Sequence, residues 1–154
     1  MTTVVAPDEA PHIRKAERAD LLAIHRIEQA AFPQPWPFGA FEQYLGERGF
    51  LVAEDDAVIG YIVADAVPSH GGPLGHIKDL AVREDRRGED LGSQLLERAL
   101  AVLAAHGAGS VKLEVRETNE RAKSLYRAYG FVHRRTVPNY YSDGEDALVF
   151  VRDQ

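Results

Sequence analysis

The stretch from Gly75 to Leu103 constrains the fold more than any other part of the chain. Gly75 to Arg83 alternates around Ile77, Leu80 and Val82, the pattern of a strand. Leu91, Leu95, Leu96, Ala99, Leu100, Val102 and Leu103 then recur at helical spacing as a broad apolar stripe, with Gly107 or Gly109 to stop the helix. Only the charged, glycine-containing turn Glu84 to Asp90 separates the two. A strand feeding a helix through so short a turn is an α/β unit.

The rest of the chain fits a mixed α/β order. His12 to Glu17 reads as a strand, and Asp20 as the N-cap of a helix running to Ala31 with Leu21, Ile24, Ile27 and Ala31 on one face. The three prolines around Gln34 and Trp36 break that helix, and a second is expected from Phe38 or Gly39 to Glu47. Phe50 to Glu54 and Val58 to Ala66 form a hairpin about the polar turn Glu54 to Ala57, and Pro68 to Pro73 is a loop. Val111 to Arg116 is a further strand. A helix from Asn119 to Tyr129 stops at Gly130, and Phe131 to Val137 and Ala147 to Arg152 close the chain as strands.

With 154 residues and 45% hydrophobic content, one domain over residues 12–154 can bury its own core without staples, and Met1 to Pro11 reads as a loose tail. No cysteine is present, which removes thiolate metal sites and any covalent cysteine intermediate. No leader or membrane-length apolar run is visible, so a cytoplasmic location is expected. A formal charge of −6 argues against general nucleic-acid binding, which needs clustered cations to displace counterions. The six histidines show no metal-ligand spacing, so no metal is expected. Oligomeric state is not specified by these features.

The turn into the long helix carries the clearest chemistry. Its N–H groups lack partners within the helix and point at whatever sits before the helix start, where the dipole favours negative charge. Arg87, Gly88, Glu89, Asp90, Leu91, Gly92 and Ser93 therefore form a candidate pyrophosphate cradle, with Gly88 and Gly92 allowing close approach. The other reading is an ordinary connection with a solvated charge run. Glu114, on an alternating strand, faces either solvent or a cleft. Tyr126, taken alone, packs on the sheet, and Tyr140 with Tyr141 either covers a hairpin or meets a ligand.

Arg87-Gly88-Glu89-Asp90-Leu91-Gly92 resembles the Q/R-x-x-G-x-G/A acyl-CoA signature of the GNAT acetyltransferases, with Asp90 where the first signature glycine usually stands. Aspartate tolerates unusual backbone angles, so the N–H cradle can survive with the carboxylate turned outward. Leu113 to Asn119, followed by Ala122 to Phe131, is similar to a later motif of the same family. The resemblance runs from about Ile13 to Val151. It implies a mixed sheet of about seven strands flanked by about four helices, with a splay between the fourth and fifth strands that admits the pantetheine arm of acetyl-CoA.

Carried residue by residue, the resemblance implies that Leu80, Ala81, Val82 and Asn119 contact the cofactor. It makes Glu114 the general base, and Tyr126 a cofactor contact and the acid that protonates the departing thiolate. The features Ala31 to Trp36, Arg134-Arg135 and Asn139 to Ala147 are closest to the RimI type of ribosomal-protein N-terminal alanine acetyltransferases. That implies a peptide or protein N-terminus as acceptor, ribosomal proteins included, with Phe32, Trp36, Tyr140 and Tyr141 beside it. Trp36 and Phe38 equally fit a role pinning the proline-rich loop. A small amine as acceptor, or an acyl-CoA-binding module without catalysis, are the alternative functions.

Overall fold

The computed structural model describes residues 11–154, so the tail expected over residues 1–11 lies outside the described residues except for Pro11. The elements in chain order are β1 (His12–Lys15), α1 (Leu21–Ala31), α2 (Phe38–Glu42), β2 (Gly49–Asp55), β3 (Ala57–Val67), β4 (Leu74–Val82), α3 (Leu91–Ala105), β5 (Ser110–Arg116), α4 (Glu120–Ala128), β6 (Val132–Val137) and β7 (Ala147–Asp153). The seven strands form one mixed sheet in the order β1-β2-β3-β4-β5-β7-β6. β4 and β5 run parallel and pair from Leu74 with Ser110 to Ile77 with Leu113. Their pairing ends there although β4 continues to Val82 and β5 to Arg116, which is the expected splay.

Contacts divide the chain into two compact units, one of the chain up to Val63 with Asp79–Ala99, the other of Ala64–Lys78 with Leu100–Gln154. In the first, α1 lays Leu21, Ile24 and Ile27 on a core that includes Phe41, Phe50, Val52, Tyr61, Val63 and Ala81. Burying an aliphatic side chain of this size contributes roughly 1.5–3 kcal/mol, so the stripe on α1 fixes that helix firmly. In the second unit β5 alternates Val111, Leu113 and Val115 inward with Lys112, Glu114 and Arg116 on the polar face. A Cβ at Gly75 would stand 3.0 Å from both Leu103 Cδ1 and Val111 Cγ2, so the absence of a side chain there lets α3 seat directly on β4.

Several local expectations need correction. Asp20 stands at the start of α1 but does not cap it; its carboxylate accepts instead from Arg14, at 2.8 and 2.9 Å, and from the Glu17 N–H at 2.7 Å. α2 ends at Glu42, not Glu47. The chain continues in tight turns, Tyr44 N–H to Phe41 O and Leu45 N–H to Glu42 O, up to Gly46 in the left-handed region. The β2–β3 turn is reduced to Asp56, at φ 65°. In β4 the buried residues are Gly75, Ile77 and Ala81, while Leu80 and Val82 are half-buried.

Candidate active site

The turn before α3 is built to leave donors free. Gly88 takes φ 89° and Asp90 φ 62°, and the first helical bond runs from Gln94 N–H to Asp90 O at 3.0 Å. The N–H groups of Leu91, Gly92 and Ser93 therefore precede the hydrogen-bonded ladder of a helix long enough to develop its dipole. Asp90 is exposed, so its carboxylate lies outside the apolar packing. The left-handed angle explains why glycine or a short acid suits the position. A Cβ at Gly88 would meet nothing within 4 Å, which leaves open space beside the turn.

The arginines there divide the work. Arg86 is held by Asp55 at 2.8 Å and by Glu89 at 3.0 Å, and this pairing keeps Glu89 charged by lowering its pKa. Arg87 is exposed and uses only its Nε, to Val82 O at 3.3 Å, so it is the arginine able to reach an anion. These donors and the open space fit the pyrophosphate of acetyl-CoA.

On the polar face of β5, Glu114 Oε1 lies 2.7 Å from His76 Nε2 on β4, and Oε2 lies 3.4 Å from Lys112 Nζ. The pair follows from register: His76 is opposite Lys112, and Glu114 is the next residue on the same face. Lys78 Nζ stands 3.1 Å from His76 Nδ1 and 3.7 Å from Asp65 Oδ1. Because an ammonium can only donate, the tautomer that satisfies both contacts carries its proton on Nε2 and donates it to Glu114. Burial pushes the Glu114 pKa up, but the His76 hydrogen bond and the Lys112 charge outweigh it and hold the carboxyl below its ordinary value. Histidine spacing gave no hint of this contact, since it arises across two strands.

The β6–β7 loop is clamped to the same strand. Arg116 Nη1 donates to Asp143 Oδ2 and Glu145 Oε1, both at 2.8 Å, and its guanidinium carbon lies 4.0 Å from the Tyr141 ring centroid. Glu145 also accepts from the Thr118 hydroxyl at 2.5 Å and N–H at 2.9 Å; Thr118 first, then Arg116, pulls its pKa down to about 2. Tyr140 packs edge-on against Tyr141 at 5.0 Å and is 50% exposed. Burial first, then the Glu114 charge, raises the Tyr140 pKa, so this ring feels the carboxylate.

The remaining site residues from the sequence fall in more structural surroundings. Asn119 Oδ1 caps α4, accepting from Ala122 N–H at 3.1 Å. Tyr126 is buried on α4 with its ring 5.7 Å from that of Phe131. Phe32 ends α1 and packs half-buried on the core, as does Trp36, whose ring lies 5.1 Å from Phe41 and 5.8 Å from Tyr44. Trp36 is thus packed on the core from within its loop.

Sequence reasoning missed a buried acid cluster in the first unit. Glu28, 1% exposed, accepts from Trp36 N–H at 2.9 Å and from the Tyr61 hydroxyl, which also lies 3.4 Å from Asp79 Oδ2. Asp79 Oδ1 accepts the Leu80 N–H at 2.9 Å. Burial, then the hydrogen bond to and charge of Glu28, raises the Asp79 pKa well above the usual carboxyl range. The signal was present: Glu28 follows Ile24 by four residues and so shares the buried stripe of α1. Among the described residues no group of three or more potential ligands is arranged to hold a metal ion, and no helix is long and apolar enough to cross a membrane.

A seven-stranded mixed sheet whose parallel β4 and β5 part after Ile77 and Leu113, with an open glycine turn leading into α3, is the fold of an acyl-CoA-dependent transferase. The acetyltransferase (GNAT) family matches residues 21–131, and the chain belongs to that family, with acetyl-CoA as co-substrate. It is 36% identical over 150 residues to an N-alpha-acetyltransferase of Sulfolobus acidocaldarius, covering 89% of each chain. To the [ribosomal protein bS18]-alanine N-acetyltransferase of Escherichia coli K12 it is 32% identical over 142 residues, covering 89% of this chain and 93% of that one. The crystal structure of Ard1 from Thermoplasma volcanium superposes with a TM-score of 0.87 at 30% identity, over 94% of this chain and 98% of the other.

Proposed function

We propose that this acetyltransferase acts in the cytoplasm on the N-terminal α-amino group of proteins or peptides, ribosomal proteins among them, by direct transfer in a ternary complex. The observation that carries the reading is Glu114, paired with His76, on the strand whose Arg116 anchors the Tyr140–Tyr141 loop. A carboxylate and two loop aromatics set from one strand face suit an acceptor that presents an ammonium group on a peptide backbone. The relatives named for N-alpha and ribosomal-protein alanine acetylation support the same acceptor class.

In this reading Arg87 and the turn through Ser93 hold the pyrophosphate. The acceptor ammonium, with a reference pKa of about 7.7–8.0, gives its proton to Glu114 through water, while His76 orients the carboxylate. The neutral amine attacks the thioester carbon, the carbon–sulfur bond breaks, and Tyr126 gives its proton to the departing thiolate. A backbone N–H of β4 meets the developing oxyanion; Leu80 N–H is taken by Asp79, and Ala81 N–H points to β3 like the Arg83 N–H that bonds Ile59 O, so this contact falls to Val82. Mass spectrometry of a mixed peptide library incubated with enzyme and acetyl-CoA tests the proposal. Acetylation at peptide N-termini is expected; acetylation of small amines alone, or tight acetyl-CoA binding without any transfer, overturns it.

A further inference from the structure

The mechanism leaves the Glu28, Tyr61 and Asp79 cluster without a task, although Glu28, 1% exposed, is the most deeply buried carboxylate among the described residues. Glu28 comes from α1, Tyr61 from β3 and Asp79 from β4. No lysine, arginine or histidine bonds any of the three among the described residues. With no cation beside it, Asp79 keeps its proton: burial first, then the hydrogen bond to and charge of Glu28, oppose its ionisation, and the Tyr61 hydroxyl bridges the two side chains. Three donors then converge on Glu28: the Asp79 hydroxyl, the Tyr61 hydroxyl and the Trp36 N–H. The last of these belongs to the loop that follows α1, and Phe32 at its start also donates its N–H to Glu28, through the carbonyl oxygen, at 3.1 Å.

We propose that the proton Asp79 holds against Glu28 is the clasp of the 32–37 loop: it lets Glu28 hold Trp36, and its loss loosens the loop and weakens acceptor-peptide binding without altering acetyl-CoA binding. The peptide half of this statement rests on the N-terminal acetylation reading; the loop half does not. When the proton leaves, Asp79 turns from donor to a second negative charge facing Glu28. The Glu28 carboxylate must then move from Asp79 or draw in water, and either motion lengthens its bond to Trp36. Glu28, Tyr61 and Asp79 are positioning residues here and touch no reacting atom.

Trp36 is the only tryptophan of the chain, so its emission reports on this loop alone. The test is acrylamide quenching of Trp36, together with peptide KM, kcat and acetyl-CoA affinity, for the full chain from neutral pH to about pH 10, with far-UV circular dichroism to verify folding. Asp79→Asn keeps the shape and can still donate to Glu28 but cannot lose a proton. Wild type should show quenching and peptide KM rising together with pH, and Asp79→Asn should be flat in quenching. Glu28→Gln and Tyr61→Phe should raise quenching at all pH values and peptide KM by about three- to tenfold, with kcat and acetyl-CoA affinity changed less than about twofold. Equal pH dependence of quenching in wild type and Asp79→Asn overturns the clasp. So does unaltered quenching in folded Glu28→Gln. A wild-type enzyme that turns over no peptide would defeat the acceptor reading instead, and the quenching comparison would still decide the clasp.

Discussion

His76 Nε2 and Glu114 Oε1 lie 2.7 Å apart, so the carboxylate on β5 is held by a residue of the neighbouring parallel strand. A bond of this kind fixes the direction of the acceptor lone pairs and lowers their basicity together. With its pKa already below the ordinary value, Glu114 does not titrate in the neutral range.

The pH dependence of turnover should therefore rise with ionisation of the substrate amine, near about pH 7.7–8.0, and show no limb from Glu114. Glu114→Gln should lower kcat by about 10²- to 10⁴-fold and recover partly at high pH, where more amine is neutral. A pH–rate series on a good peptide measures both; an acid limb that disappears in the variant would show Glu114 titrating where it should not.

Tyr126→Phe should lower turnover across the whole pH range, by about 10²-fold or more, with acetyl-CoA affinity little changed, because no amount of neutral amine replaces the acid for the thiolate. Single-turnover kinetics beside calorimetric titration would separate the two effects. Near-wild-type chemistry would leave Tyr126 as a packing partner of Phe131.

In the cradle, Gly92→Glu places a long negative side chain where the backbone meets pyrophosphate and should weaken acetyl-CoA binding sharply. Asp90→Gly should leave affinity unchanged or improved, since it removes a charge and relieves the left-handed angle of 62°. Asp90→Val, β-branched in that conformation, should cost about 1–2 kcal/mol of stability. Titration calorimetry and thermal melts test the set, and a large loss of affinity in Asp90→Gly would show that its carboxylate contributes a contact.

Arg116→Ala should raise peptide KM more than it lowers kcat, because the loop bearing Tyr140 and Tyr141 loses its anchor while Glu114 keeps its own partners. Glu145 is a depressed carboxyl, so its contribution is present above the ordinary carboxylate range and is lost as pH falls toward about 2. The clamp is thus insensitive to any pH at which the enzyme would be assayed. Equal loss in kcat and KM would point to a broader disturbance of β5.

Asp79 behaves in the opposite sense. Its folded pKa is raised, so the folded state binds the proton more tightly, and stability falls as pH rises above about 4 through the raised value. Asp79→Asn should flatten that decline, by about 1.4 kcal/mol for every tenfold by which folding tightens the hold on this proton. Denaturant melts across the range measure it, and parallel slopes for the two proteins would contradict the assignment.

Much of the architecture was legible because periodicity reports burial directly. The stripe on α3, the alternation in β5 and the stops at Gly107 and Gly130 all appear where the sequence puts them. The turn before α3 was legible too, since the sequence marks both positions, Gly88 and Asp90, that take left-handed angles there. What stayed hidden was set by partners far apart in sequence. Asp20 has the look of a cap until Arg14 claims it. His76 carries no local signal because Glu114 lies 38 residues away. Asp79 resembles a surface acid because only the assembled sheet brings Tyr61 and Glu28 to it, whereas Glu28 already stood on the buried stripe of α1.

Gly75 brings the packing of α3 next to the His76–Glu114 pair. A methyl group there would require Leu103 or Val111 to retreat by a few tenths of an ångström, or β4 to lift from the helix. The next residue along β4 is His76, on the opposite face, and a lift of the strand carries its ring away from Glu114. Neighbouring residues of one strand thus carry two fits at once: the close seat of α3 on the apolar side at Gly75, and the His76–Glu114 hydrogen bond on the wet side.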